Sequence, residues 1–258
     1  MVGGLMIGIL DSISSLSSGV SDNYPVLWLD AAKGVNDGTA VDGHAVYDWA
    51  DQSGNGNDFL QTSASYQPIY NTATGINGLP TLTFYPNKRL QLSDTILFYS
   101  EYTIYAVVQT LATQNQTVTY KVFYQFSTCG IYCQTLGRVG LAYDNPNATT
   151  PAPAPASFRY YDRIGLTAII DYDTDPHLFT ISNGKVAGVS KKQIYADGNL
   201  EIDGGGYIDS SLGLEHFLGF WNNQIGNFEF AELIVYKSKH SDAKRETVEL
   251  YLINKYGL

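Results

Sequence analysis

From residue 25 onward, apolar and aromatic residues arrive in short runs separated by Gly, Pro, Asn and Asp, and most runs alternate polar with apolar. A period of two marks a pleated strand with one face turned inward. The clearest runs are 25–30, 79–85, 89–92, 102–110, 120–127, 139–144, 157–161, 166–172, 177–182 and 228–236. In the fourth run Tyr102, Ile104, Ala106 and Val108 share one face, and Thr103, Tyr105 and Val107 the other. Apolar residues on both faces predict a strand in a sheet covered on both sides. Ser182-Asn183-Gly184-Lys185 lies between two such runs. Asn-Gly supplies the positive-φ pair of a two-residue turn, so a hairpin is expected there.

The period changes at both ends of the chain. Over 241–256 it becomes helical: Ser241 suits an N-cap with Lys244 at N3, Val248, Tyr251, Leu252, Lys255 and Tyr256 recur at helical spacing, and Gly257 suits a stop. Residues 1–24 differ again. Val2, Met6, Ile9, Ile13, Leu16 and Val20 follow a heptad spacing, which nearby glycines and serines weaken. The expected division is an N-terminal anchoring arm, 1–24, and one sandwich domain, 25–258. The stripe Met6, Ile9, Ile13 and Leu16 is expected to contact another chain, either a copy of this one or a larger assembly, since an apolar stripe in water is costly. Alternating Pro and Ala over 145–156 reads as a long exposed loop inside that domain.

Composition agrees with a β fold: 20 Tyr, 11 Phe and 3 Trp accompany only 16% charged residues. The formal net charge is -10 and no Lys/Arg cluster is present, which argues against nucleic acid and anionic membranes as partners. No stretch is long and apolar enough to span a bilayer as a helix. Cys129 and Cys133 lack the ligand set of a zinc site, and their spacing is not that of a redox pair.

Two segments carry a family likeness. Trp49-Ala50-Asp51-Gln52-Ser53-Gly54-Asn55-Gly56-Asn57-Asp58 runs a tryptophan strand into an oxygen-rich turn. Phe230-Ala231-Glu232-Leu233-Ile234-Val235-Tyr236 precedes the terminal helix that ends in Tyr256-Gly257-Leu258. The chain resembles the laminin-G-like, concanavalin A-like jelly-roll domains over nearly its whole length. That resemblance implies an all-β jelly-roll sandwich with a C-terminal amphipathic helix packed on it. It constrains function less, because the fold hosts lectins, glycosidases, adhesion modules and virion proteins.

Enzymatic chemistry finds little support. Glycosidases resembling this fold carry a second Glu beyond a Glu-x-Asp pair, but Glu201-Ile202-Asp203 runs into Gly204-Gly205-Gly206, read here as a turn. There is no Gly-x-Ser-x-Gly, and His44, His177, His216 and His240 are scattered. The Asp51–Asp58 segment has two readings. In one, Asp and Asn cap backbone N–H groups while the glycines take positive φ. In the other, implied by the family likeness, Asp51, Asn55 and Asn57 hold calcium, with Asp30, Asp203 and Asp209 as further loop carboxylates.

For sugar binding, an exposed ring beside amides is the expected composition. Trp221, Asn222 and Asn223 supply it, as do Tyr207 with Asp209 and the pair Tyr160-Tyr161. The expectation is a non-enzymatic recognition or attachment module at a virion surface (capsid decoration or tail) or outside the cell. Its partners would be other virion or surface proteins reached through the arm, host glycans, or further copies of itself. The alternatives are a secreted carbohydrate-binding adhesin and a glycan-active hydrolase. A secreted adhesin would be expected to show a signal peptide and further domains, which turns the expectation toward the virion.

Overall fold

The computed structural model describes residues 24–72, 75–85, 87–93, 96–98, 101–111, 120–127, 138–144, 157–161, 170–171, 174–205, 212–219 and 228–258. The arm residues Met6, Ile9, Ile13 and Leu16, the Cys129 and Cys133 pair, and Tyr207, Asp209, Trp221, Asn222 and Asn223 lie outside them. In chain order the strands are β1 Leu27–Asp30, β2 Asp48–Trp49, β3 Phe59–Leu60, β4 Ile69–Asn71, β5 Thr81–Phe84, β6 Arg89–Leu92, β7 Ile96–Phe98, β8 Tyr102–Thr110, β9 Tyr120–Ser127, β10 Arg138–Asp144, β11 Ser157–Tyr161, β12 Ile170–Asp171, β13 Pro176–Val186, β14 Val189–Ala196, β15 Asn199–Gly205, β16 Leu212–Gly219 and β17 Phe228–Tyr236. The helix, α1, is Asp242–Tyr256.

All described pairings are antiparallel and form two sheets. Sheet A runs β15-β14-β13-β8-β17-β5-β4, with β1 also on β17. Sheet B runs β12-β11-β10-β9-β16-β6-β3-β2, with β7 also on β16. Asp144 pairs with Ser157, so the strands that flank the proline-rich 145–156 segment are adjacent in one sheet; the segment itself lies outside the described residues.

Two cores explain the burial on both faces of sheet A. Between the sheets, Tyr102, Ile104, Ala106 and Val108 of β8 meet Trp49, Phe59, Leu90 and Leu218 of sheet B. On the other face Tyr105, Val107, Ile234 and Tyr236 pack against Val248, Leu252 and Tyr256 of α1. The alternation in β8 therefore fits a sheet sandwiched between its partner sheet and a helix. Ser241 accepts a hydrogen bond from the Lys244 backbone N–H at 3.4 Å, and Gly257 ends the helix in the left-handed region at φ 69°. Both terminal signals act as the sequence predicts.

A β-bulge fixes the helix. Register shifts between Phe230 and Glu232, which turns the buried Glu232 toward α1 instead of toward the apolar interior with Phe230. Glu232 faces Asp30 across β1, a costly pair of like charges. Lys255 answers it, with Nζ 2.8 Å from Asp30 Oδ2 and 2.6 Å from Glu232 Oε2. Trp28 Nε1 and the Tyr256 hydroxyl each donate to Glu232 at 2.8 Å. Asp30, read above as a loop carboxylate, thus belongs to a strand and is committed to the helix.

The hairpin placement needs correction. β13 does not turn at Asn183-Gly184; it continues to Val186, with Asn183 paired to both Tyr102 and Lys192. The turn is at Ala187-Gly188, where φ is 51° and 81°. Ser182 and Asn183 are buried between strands, so tertiary burial overrides the local turn preference. Gly184 is a packing residue: a Cβ there would stand 2.6 Å from Lys239 Cβ.

Candidate functional site

The helix covers the outer face of sheet A. Among the described residues α1 packs on sheet A and not on sheet B. The pairing rows of sheet B follow from register. Phe59, Trp49 and Leu92 face the interior, and their neighbours Leu60, Asp48 and Gln91 lie on the other face, where Leu60 and Gln91 are exposed and Asp48 is buried. The same row continues across the sheet: Gln91 pairs with Phe217, Phe217 with Gln125, Gln125 with Gly140 and Gly140 with Tyr161. The next row inward is Leu90, Leu218, Tyr124, Leu141 and Tyr160, of which Leu90 and Leu218 are fully buried. Tyr161 and Tyr160 therefore occupy neighbouring rows of the pairing register.

The row that contains Leu60 and Gln91 holds amide and aromatic residues and a glycine at its register positions. Amides fix hydroxyl groups, rings cover the apolar face of a pyranose, and a strand-interior glycine lets a ligand approach the backbone. At the rim, Tyr66 follows β3 and Arg89 begins β6. The Arg89 guanidinium lies 4.4 Å from the Tyr66 ring centroid. Gln61 Nε2 donates to the Arg89 carbonyl at 3.3 Å, and Lys88 Nζ donates to the Ser65 carbonyl at 3.2 Å. Tyr47 stands nearby, its hydroxyl donating to Asp37 Oδ2 at 3.0 Å. Burial pushes the Asp48 carboxyl above its ordinary range, and the charge of Asp58 adds to this.

The other sequence candidates separate. The Asp51–Asp58 loop is built as a capped turn. Asp51 Oδ1 accepts from the N–H groups of Trp28 at 2.8 Å and Ser53 at 2.9 Å, and Oδ2 accepts from the Ser53 hydroxyl at 2.6 Å and Asn57 N–H at 3.1 Å. Asn57 Nδ2 donates to the Val26 carbonyl at 2.6 Å, and Asn55 Nδ2 to the Ser53 hydroxyl at 2.8 Å. The loop thereby ties β1 to β2, with Gly54 and Gly56 at φ 85° and 73°. Among the described residues no group of three or more His, Cys, Asp or Glu is arranged to hold a metal ion. Calcium at Asp51, Asn55 and Asn57 stays a conditional proposal.

Glu201 and Asp203 lie on β15, the edge strand of sheet A, and both are exposed. Asp203 Oδ2 accepts from Lys191 Nζ at 2.7 Å. Gly204 and Gly205, expected to form a turn, instead pair with Lys192 and Lys191; the edge position lets glycine stay in the strand. His177 is held by Asp197, with Nδ1 2.7 Å from Oδ2, while Asp197 Oδ1 accepts the Leu178 N–H at 2.8 Å. His240 is buried against Tyr105, whose hydroxyl lies 2.7 Å from Nδ1, and burial pushes its imidazole down to about 3.

No protein-family model matches this chain, and no curated protein matches it in sequence. Solved structures do match in fold. Domain 4 of an extracellular arabinanase from Geobacillus stearothermophilus, solved with arabinotriose, aligns with TM-score 0.54 and 11% identity over 86% of this chain and 96% of that domain. An arabinofuranosidase complexed with arabinofuranosyl-alpha-1,2-xylobiose aligns with TM-score 0.56 and 14% identity over 82% of this chain and 51% of its own. The binding domain of Paraclostridial Mosquitocidal Protein 1 aligns with TM-score 0.54 and 12% identity, covering 90% of this chain and 53% of that one. The chain spans about half the length of the first solved structures it matches. At such identities the likeness is one of fold, and it agrees with the expected all-β sandwich of two antiparallel sheets with a C-terminal helix.

Sequence reasoning named Tyr161 but missed Gln91, Gln125, Phe217 and Gly140. Each sits in a different strand, and only the pairing register brings them into one row. Alternation within 89–92 was the available signal for Gln91, since it sets Gln91 opposite to Leu90 and Leu92.

Proposed function

We propose that this chain is a non-catalytic recognition module that binds a glycan on the outward face of sheet B, and that it serves attachment at a virion or other extracellular surface. The observation that carries the reading is the pairing row that runs across sheet B from the exposed Leu60 and Gln91 through the register positions of Phe217, Gln125 and Gly140 to Tyr161. Support comes from the fold likeness to the arabinanase domain solved with arabinotriose, which the chain matches over nearly that whole domain. The non-catalytic part is supported by the exposure of Glu201 and Asp203 on an edge strand with glycines beyond them, since a retaining glycosidase needs two facing carboxyl groups about 5 Å apart in a cleft. The attachment role is an extension of the recognition role, and the apolar positions of the arm are its sequence basis.

The test is a glycan array read with wild type, Gln91→Ala, Tyr161→Ala and Trp221→Ala. Binding by wild type and its loss in Gln91→Ala and Tyr161→Ala, with unchanged melting, is the expected result. Loss in Trp221→Ala alone would move the site off the sheet. Release of new reducing ends from the bound glycan would overturn the non-catalytic reading.

A further inference from the structure

The cluster under α1 holds an amine, a carboxyl group that could acylate it and a second carboxyl group within reach of both. Lys255 Nζ lies 2.8 Å from Asp30 Oδ2 and 2.6 Å from Glu232 Oε2, and the side chains of Asp30 and Glu232 are only 2% and 0% exposed. Both oxygens of Asp30 are held, since Oδ1 accepts the Ala32 N–H at 2.9 Å. Glu232 is held by Trp28 Nε1 on one oxygen and the Tyr256 hydroxyl on the other. The pair Lys191 and Asp203 makes a contact of similar length, 2.7 Å, but at 36% and 39% exposure, where water competes. A nucleophile, a proton acceptor touching it and an N–H beside the acyl oxygen are the parts that acyl transfer requires.

We propose that Lys255 and Asp30 condense to an amide, with Glu232 carrying the proton, so that a covalent link joins β1 to α1. Burial presses Lys255 to shed its proton, but Glu232 and Asp30 outweigh it, so the resting amine is an ammonium. The reactive form is reached inside the cluster, by passing one proton from Nζ to Asp30 Oδ2 along their contact. That transfer replaces a buried ion pair by a neutral pair, which a low dielectric resists less than water does. The neutral amine then attacks Asp30 Cγ, and an electron pair moves onto Oδ1 beside the Ala32 N–H. Glu232 Oε2 takes a proton from the nitrogen and returns it to the Oδ2 hydroxyl; burial, which pushes the Glu232 carboxyl upward, suits it to this task. The Cγ–Oδ2 bond breaks, the carbonyl re-forms on Oδ1 and one water leaves. Ammonium and carboxylate thus become amide and water, with no change of net charge and no oxidant, and Glu232 ends as it began. Holding the two groups together is worth an effective molarity of about 10⁵ M or more, which favours condensation in a site that excludes water.

The linked residues are 225 positions apart, so the bond restricts the unfolded chain over most of its length and raises resistance to unfolding. It is independent of glycan binding. The experiment is the intact mass of the purified full chain, read after denaturation, followed by mapping of its proteolytic peptides. The expected mass is that of the sequence less one water, with the peptides that carry Asp30 and Lys255 joined. Lys255→Arg, which keeps the cation, and Glu232→Gln, which keeps the shape, should each return the full sequence mass. The wild-type reading stands on its own even where a variant folds poorly. Full sequence mass in the wild type after prolonged incubation overturns the proposal. So does a lost water without the joined peptide, which reports a succinimide at an Asp-Gly step such as Asp197-Gly198. A Lys255→Arg chain that is still one water light also overturns it, and a link that forms as fast in Glu232→Gln overturns the role given to Glu232.

Discussion

Asp30 and Glu232 stand opposite one another on β1 and β17, both buried, and Lys255 supplies the cation between them. Burial alone works to lower the Lys255 pKa, but Glu232 and Asp30 outweigh it, and the ammonium is held above its ordinary range. Burial pushes Glu232 upward, against the pull of Lys255. Removing the cation should therefore be severe: Lys255→Met should cost about 3 kcal/mol by urea denaturation, and Asp30→Asn in that background should restore part of the loss. His240 gives a second test. Its folded pKa is about 3, below the ordinary 6.5. The unfolded chain takes up a proton below about pH 6.5 that the folded chain refuses until about pH 3, so this contribution is fully present above that window and is lost as pH falls through it. Between pH 6.5 and 5 the unfolding free energy from urea denaturation should fall by up to about 1.4 kcal/mol per pH unit, and His240→Gln should flatten that slope. An unchanged slope in the variant would assign the pH dependence to other groups.

At the level of elements, much was legible and the exceptions have physical causes. β6, β8, β9, β11 and β17 begin and end where the alternation placed them, because period two is strong when one face must be buried. The helix was legible for the same reason, with Ser241 and Gly257 marking its ends. The hairpin was not. Asn183-Gly184 carries the stronger local turn signal, yet the chain turns at Ala187-Gly188, where an alanine occupies the left-handed region. That conformation costs a residue with a Cβ about 1 kcal/mol, and asparagine tolerates it better. Ala187→Asn should thus stabilise the fold by about 0.5 kcal/mol, read as a raised urea midpoint with unchanged m. The neighbouring turn, Asp197-Gly198 at φ 49° and 80°, already uses the favoured pair and was readable as a hairpin between β14 and β15. Glu232 left a fainter trace: one carboxylate inside the apolar run from Phe230 to Tyr236 announces a buried partner, but only the fold identifies it as Lys255.

In the proposed reading the two sheets have different tasks. Sheet A is covered by α1 and anchored to it by Lys255, while the pairing row of sheet B draws one position each from β3, β6, β16, β9, β10 and β11. Such a site is invisible to motif reading, because no two of its strands supply adjacent sequence and the row exists only through register. The Asp51–Asp58 turn, by contrast, was legible in its composition, and its oxygens proved to organise the backbone of β1 and β2. The most direct test of the division is hydroxyl-radical footprinting with the glycan that binds most tightly on the array. Protection should centre on Leu60, Phe217 and Tyr161, with α1 and residues 50–58 unchanged. Protection centred on α1, or on the 50–58 loop with sheet B unaffected, would contradict it.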